Sequence, residues 1–92
     1  MTLYKKQVVH QDADETIKYT KYWGAALDDG DAISSVTNTG SGVTVSGETN
    51  DTTTTTYFAS GVSGAAGYVT TEVTTSGGET LSETIYFEER TA

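Results

Sequence analysis

Polar and apolar residues alternate along much of this chain with a period of two, the signature of half-buried β-strands. In Tyr68–Thr75, Val69, Thr71 and Val73 alternate with Tyr68, Thr70 and Glu72. In Thr80–Glu88, Leu81, Glu83, Ile85 and Phe87 alternate with Thr80, Ser82, Thr84 and Tyr86, and Glu83 interrupts the apolar face. Ser76-Gly77-Gly78-Glu79 joins these two runs, and paired glycines between alternating segments predict a tight hairpin. Further strands are predicted over Thr16–Trp23, Ala32–Thr37, Val43–Val45 and Thr52–Ala59. Proline is absent, and glycines punctuate the chain from Gly30 to Gly78. Short strands between such turn signals predict an all-β sandwich or barrel.

One segment breaks the pattern. Trp23-Gly24-Ala25-Ala26-Leu27 carries helix formers and an i, i+4 Trp23/Leu27 pair, followed by the acidic turn Asp28-Asp29-Gly30-Asp31. It predicts one short helical turn or compact loop. The predicted core is Ile17, Tyr19, Trp23, Leu27, Ile33, Val43, Val45, Phe58, Val69, Val73, Ile85 and Phe87. Residues 1–12 read as an N-terminal strand or docking arm, and 13–92 as a single domain. Within the first stretch, Tyr4–Val9 suits either an edge strand or an arm that orders against a partner.

Charge narrows the functional classes. The net charge is −8, and the only basic residues are Lys5, Lys6, Lys18, Lys21 and Arg90. From Tyr22 to Glu89 there are ten carboxylates and no Lys or Arg. Such a field repels nucleic acid and anionic lipid, so neither is an expected partner. It favours contacts in which the lysine-bearing N-terminal segment meets an acidic neighbour. Ninety-two residues with 35% hydrophobic content build one domain with a modest core. There is no cysteine to staple it, so neighbouring subunits become a natural source of added stability. No run is long and apolar enough for a signal peptide or a membrane span, and the opening methionine reads as cytoplasmic synthesis.

Candidate chemistry is sparse. Asp28, Asp29 and Asp31 could face a hard cation, but they lack the spacing of a calcium loop and read as a solvated turn. His10 is the only histidine and has no ligand-spaced companions. There is no Gly-x-Ser-x-Gly elbow, and the adjacent Glu88 and Glu89 point to opposite faces of a strand. The expectation is therefore a non-enzyme with no catalytic, metal or cofactor site. The Thr52–Thr56 run could present ordered hydroxyls to a flat ligand, but only one strand carries it; it reads as a β-forming exposed face. Tyrosine combines contact area with a hydroxyl and makes a good interface anchor. Tyr4 and Tyr22, with Lys5, Lys6 and Val8, are the candidate partner-binding residues.

The order of segments resembles a family of small tailed-phage virion proteins of the fibre–tail adaptor type. The resemblance spans about Asp12 to Arg90. It runs through Thr16-Ile17-Lys18-Tyr19, Tyr22-Trp23-Gly24-Ala25-Ala26-Leu27, Asp29-Gly30-Asp31-Ala32-Ile33 and Val43-Thr44-Val45. It continues through Tyr57-Phe58-Ala59-Ser60-Gly61, the block from Gly67 to Gly78, and Thr84-Ile85-Tyr86-Phe87. The resemblance implies an immunoglobulin-like antiparallel β-sandwich of about seven strands with the short helical turn after Trp23. It further implies a virion structural component without catalysis or cofactor. The expected role is an adaptor whose partners are other tail, neck or fibre subunits, with copies arranged as a homo-oligomeric ring. A capsid decoration or cement protein is the alternative address. A carbohydrate-binding β-sandwich is a third reading, to be favoured by exposed aromatics on one face.

Overall fold

A computed structural model describes residues 8–90. Seven strands follow in chain order: β1 (Val8–Gln11), β2 (Ile17–Tyr22), β3 (Ile33–Ser41), β4 (Thr44–Asn50), β5 (Thr54–Ser60), β6 (Gly67–Thr75) and β7 (Thr80–Glu89). They form two sheets, a four-stranded one in the order β1-β7-β6-β3 and a three-stranded one in the order β2-β5-β4. Their inner faces enclose the core, which makes the molecule a β-sandwich. Neighbouring strands pair antiparallel except β1, which runs parallel to β7 with Val8 opposite Tyr86 and Gln11 opposite Glu89.

The alternation read from the sequence sets which side chains point inward. On β6, Val69, Thr71 and Val73 are buried while Tyr68 and Glu72 are exposed. On β7, Ile85 and Phe87 are buried. The two strands meet in the predicted hairpin: Thr74 is opposite Thr80, and the Gly78 N–H donates to the Thr75 carbonyl at 3.0 Å.

The core has two parts. Val43, Tyr57, Ala59, Val62, Val69, Ile85 and Phe87 form the larger, with Val9, Tyr19 and Val45 packed against it. Trp23, Ile33 and Val73 form the smaller, with Leu27, Val36 and Leu81 alongside. Tyr19 ties the larger part together, stacking on Tyr57 at 5.7 Å between ring centroids and meeting Phe87 edge-on at 5.4 Å.

Three sequence expectations need adjustment. Phe58, expected in the core, lies on the outer face, because β5 turns Thr55, Tyr57 and Ala59 inward. Phe58 is still half-buried, because the β4 bulge between Ser46 and Thr49 lays the backbone of Gly47 against its ring. A Cβ at Gly47 would stand 2.7 Å from the ring, closer than packing allows. Ile17, also expected in the core, is only half-buried at the start of β2. The segment after Trp23 makes two successive i to i+3 bonds, Ala26 N–H to Trp23 O at 2.8 Å and Leu27 N–H to Gly24 O at 3.4 Å. It is a turn, and no helix forms among the described residues.

β3 is longer than its apolar pattern suggested and runs on through Gly40 to Ser41. There the chain crosses from one sheet to the other. Gly42 makes the crossing with a φ of +69°, and its α-carbon region abuts Gly67: a Cβ built there would lie 3.2 Å from the Gly67 α-carbon.

Candidate functional site

Polar side chains are few inside this sandwich, and their placement defines the surfaces available to a partner. The first is Gln11, fully buried at the end of β1. Its Nε2 donates to the Ala59 carbonyl at 2.8 Å and to the Glu15 carbonyl at 3.1 Å, and its Oε1 accepts from the Tyr19 hydroxyl at 2.8 Å. One amide thus fastens β1 to β2 and β5, across the two sheets. Burial, and then the nearby Glu15 carboxylate, hold the Tyr19 phenol above its ordinary pKa, so it remains a donor.

β1 covers β7 only from Tyr86 to Glu89. Among the described residues, the β7 edge from Thr80 to Ile85 has no strand partner. The outer edge of β2 is likewise unpaired among them. Between these two edges lies an open seam with a crevice of about 210 Å³. Tyr19, Thr20 and Lys21 of β2 line it, with Tyr57 of β5, Thr71 of β6, and Glu83 and Ile85 of β7.

The inward-pointing Glu83 that broke the apolar pattern of β7 has its place here. Its Oε2 lies 2.8 Å from Lys21 Nζ, and its side chain is 27% exposed. Lys21 also stands 5.4 Å from the centroid of the Trp23 ring. The seam is therefore closed at depth by aromatic and aliphatic packing and lined near its mouth by a charge pair.

Tyr57 supplies the polar floor of the seam. Its hydroxyl is buried and has no hydrogen-bond partner among the described residues. Its pKa is pushed well up, by burial first and then by Tyr19 and Glu83, so the phenol stays protonated. A buried hydroxyl without a partner costs free energy. Tyr57→Phe is accordingly expected to leave stability unchanged or raise it by about 1 kcal/mol in urea denaturation. A loss above about 2 kcal/mol would mean the hydroxyl is bonded after all.

A second surface lies on the outside of the four-stranded sheet. Val8, Tyr86 and Tyr68 sit side by side across β1, β7 and β6. Val8 and Tyr68 are among the exposed large hydrophobic residues, and the Tyr68 and Tyr86 rings lie 6.5 Å apart. Their planes are inclined at 57°, so the pair makes no single flat platform for a sugar ring. Thr70 and Thr84 share a hydrogen bond of 2.9 Å in the adjoining row.

The predicted partner residues are dispersed. Val8 belongs to the aromatic row, whereas Tyr22, 64% exposed, closes β2 in the other sheet. The fold does not bring the two together. Tyr4, Lys5 and Lys6 lie outside the described residues. Sequence reasoning missed Gln11, Tyr57 and Val62. Gln11 and Tyr57 are polar or amphipathic residues whose burial depends on partners distant in sequence. Val62 lies in a loop where no periodicity marks it.

The acidic turn acquires a third member from elsewhere. Asp28 and Asp31 lie within 4.8 Å of Glu79, at the end of the β6–β7 hairpin, and Asp29 is not part of the group. Asp28 is the main cause of a raised Glu79 pKa, as like charges close together require. Asp31 already accepts a hydrogen bond of 2.8 Å from Ser76. His10, on the outer face, stands 3.6 Å from Glu88. None of these groups joins a nucleophile, a base and an oxyanion pocket in one place.

A compact sandwich with open strand edges, an exposed aromatic row and a strongly acidic body has the construction of a structural module that joins other proteins. The family comparison agrees. The chain belongs to the family described as podophage GP4 fiber-tail adaptor protein gp77, whose profile matches residues 11–88. That family is one of phage tail adaptors, components of the virion. No curated protein sequence matches the chain. Among the described residues, no helix is long and apolar enough to cross a membrane.

Proposed function

We propose that this protein is a non-catalytic adaptor in the tail or neck of a phage particle, linking a symmetric ring to fibres or adjoining rings. The family match over residues 11–88 carries the reading. The protein acts by shape, strand edges and charge. Its copies form a homo-oligomeric ring after synthesis in the host cytoplasm, and it binds no nucleic acid, membrane or cofactor. Ten carboxylates and no Lys or Arg between Tyr22 and Glu89 support the exclusion of nucleic acid. Sheets of four and three strands, with the chain passing between them at β1–β2, β2–β3, β3–β4 and β5–β6, support an immunoglobulin-like arrangement.

In this reading the N-terminal segment docks on a neighbouring subunit through Tyr4, Lys5 and Lys6, while Val8 and Tyr22 add contact area on opposite sheets. Within the N-terminal stretch 1–12, β1 pairs into the sandwich, which supports assigning the docking role to residues 1–7. The test is to label the protein in intact particles and locate it by electron microscopy. Label at the neck, tail or fibre base is expected. Label over the whole head would instead make it a decoration protein. Deleting residues 1–7 is expected to abolish incorporation while leaving the thermal unfolding transition in place. Normal incorporation of the shortened chain would remove the docking role.

A further inference from the structure

We propose that residues 2–7 prolong β1 along β7 of their own chain, closing the seam between β2 and β7 and seating Lys5 on Glu83. The inference rests on strand register, burial and charge, not on the adaptor reading. It refines that reading at one residue: Lys5 turns inward, and Tyr4 and Lys6 are left for a partner.

From Val8 and Tyr86 to Gln11 and Glu89, each β1 residue faces the β7 residue 78 positions further on, without a slip. A parallel ladder continued at that offset sets Gln7 opposite Ile85, Lys5 opposite Glu83, Leu3 opposite Leu81 and Thr2 opposite Thr80. Because Val8 meets Tyr86 in mid-strand, six positions of β7 remain, Thr80 to Ile85, and Thr2 to Gln7 fill them.

Side-chain parity agrees. Val9 packs against the larger core and Gln11 is buried, so the odd-numbered residues of β1 point inward. Leu3, Lys5 and Gln7 share that face. Thr2, Tyr4 and Lys6 share the outer face with the exposed Val8. A slip of one residue would exchange the two sets.

The inner face of the sheet is layered to match. Leu81 stands opposite Val73, and Val73 opposite Val36, an apolar row of the smaller core. In the next row Glu83 stands opposite Thr71, and Thr71 opposite Asn38, with the Thr71 hydroxyl donating to Asn38 Oδ1 at 2.6 Å. Leu3 extends the apolar row with an apolar side chain, and Lys5 extends the polar row with a cation.

That polar row has use for another donor. Glu83 holds Lys21 at 2.8 Å through Oε2, and a carboxylate accepts more than one donor. The Tyr57 hydroxyl is buried in the same crevice without a partner. An ammonium has three protons to give, so Lys5 satisfies both Glu83 and the Tyr57 oxygen. The crevice of about 210 Å³ has room for its side chain.

A bare edge of six residues would template pairing between chains. The protein's own strand closes it and keeps free copies from joining there. Tyr4 and Lys6 then stand opposite Ser82 and Thr84, beside the row of Val8, Tyr86 and Tyr68. They give that outer face a cation with which to meet an acidic partner.

Nuclear magnetic resonance of the full chain tests the proposal. Overhauser contacts of Leu3 with Leu81 and of Lys5 with Glu83 are expected. Amide exchange between Leu3 and Gln7 should be slowed about tenfold or more relative to an unstructured chain. An isotope-filtered spectrum of labelled and unlabelled protein in equal amounts passes only contacts between copies, and these contacts should be missing from it. Lys5→Ser should lower the thermal midpoint by about 4 °C or more, and Lys6→Ser should leave it in place. Removing residues 1–7 should lower it too, with the transition itself retained, because Gln11 still fastens β1.

Four results would overturn the proposal: contacts in another register, contacts that pass the isotope filter, unprotected amides over residues 3–7, or equal effects of the two lysine substitutions. The adaptor reading fails separately, when labelled protein is missing from the tail and neck of the particle.

Discussion

Trp23→Ala should lower the stability of the domain by about 3–5 kcal/mol, measured by urea denaturation. Trp23 is 4% exposed and anchors the smaller core with Ile33 and Val73. Truncation would open a cavity between sheets too firmly hydrogen-bonded to collapse into it. Polar consequences add to this. The indole Nε1 donates to the buried Thr55 hydroxyl at 2.9 Å, so the variant also strands that oxygen. Trp23 N–H donates to the Thr53 carbonyl at 2.7 Å, and loosening it disturbs the crossing from β2 into the following turn. A domain of this size has a total stability of roughly 5–14 kcal/mol, so one substitution removes a large share. Trp23→Phe separates the parts: it retains most of the packing and should lose about 1 kcal/mol for the indole bond. A near-neutral Trp23→Ala would show that the smaller core contributes little.

Gln11→Leu should cost roughly 3 kcal/mol in the same assay, although it replaces a polar residue by an apolar one of similar volume. Shape is preserved, so the loss reports on hydrogen bonds. The Ala59 carbonyl loses a buried donor at 2.8 Å and the Tyr19 hydroxyl loses its acceptor. Each buried group left without its partner costs about 1–3 kcal/mol. Gln11→Glu should be worse at neutral pH, since a carboxylate would face the Ala59 and Glu15 carbonyls. That environment favours the neutral acid and raises the folded-state pKa. The deficit should therefore be smallest in acid and grow as pH rises through the carboxyl range. A Gln11→Leu variant as stable as the parent would show that β1 is held by its pairing with β7 alone.

These two residues mark what the sequence discloses and what it conceals. Trp23 was legible because it closes a run of alternating residues and is followed by Leu27 on the same side. Both β6 and β7 were legible because their residues alternate, strictly in β6 and with an interruption at Glu83 in β7, and the glycine pair between them dictates the hairpin. β5 was ambiguous because threonine suits either face. Its parity had to be inferred from Tyr57 and Phe58, adjacent aromatics of which only one can point inward. Glu83 was legible as an interruption of an apolar face, but its meaning needed Lys21, which stands 62 positions away in sequence on the opposite sheet. Gln11 was invisible because its burial depends on acceptors and donors in β2, β5 and the turn at Glu15. The family resemblance was carried by turns and aromatics spread over most of the chain, and the profile match covers that stretch.

The parallel pairing of β1 with β7 has a mechanical consequence. Val8 begins β1 beside Tyr86, while Arg90 follows the far end of β7, where its N–H donates to the Gln11 carbonyl at 2.9 Å. Val8 and Arg90 therefore stand at opposite ends of this strand pair. A pull applied between them loads the β1–β7 hydrogen bonds side by side, in shear, so they must rupture together. An antiparallel terminal pair would open one bond at a time, like a zipper. Tension borne along that line therefore meets several bonds that must yield at once.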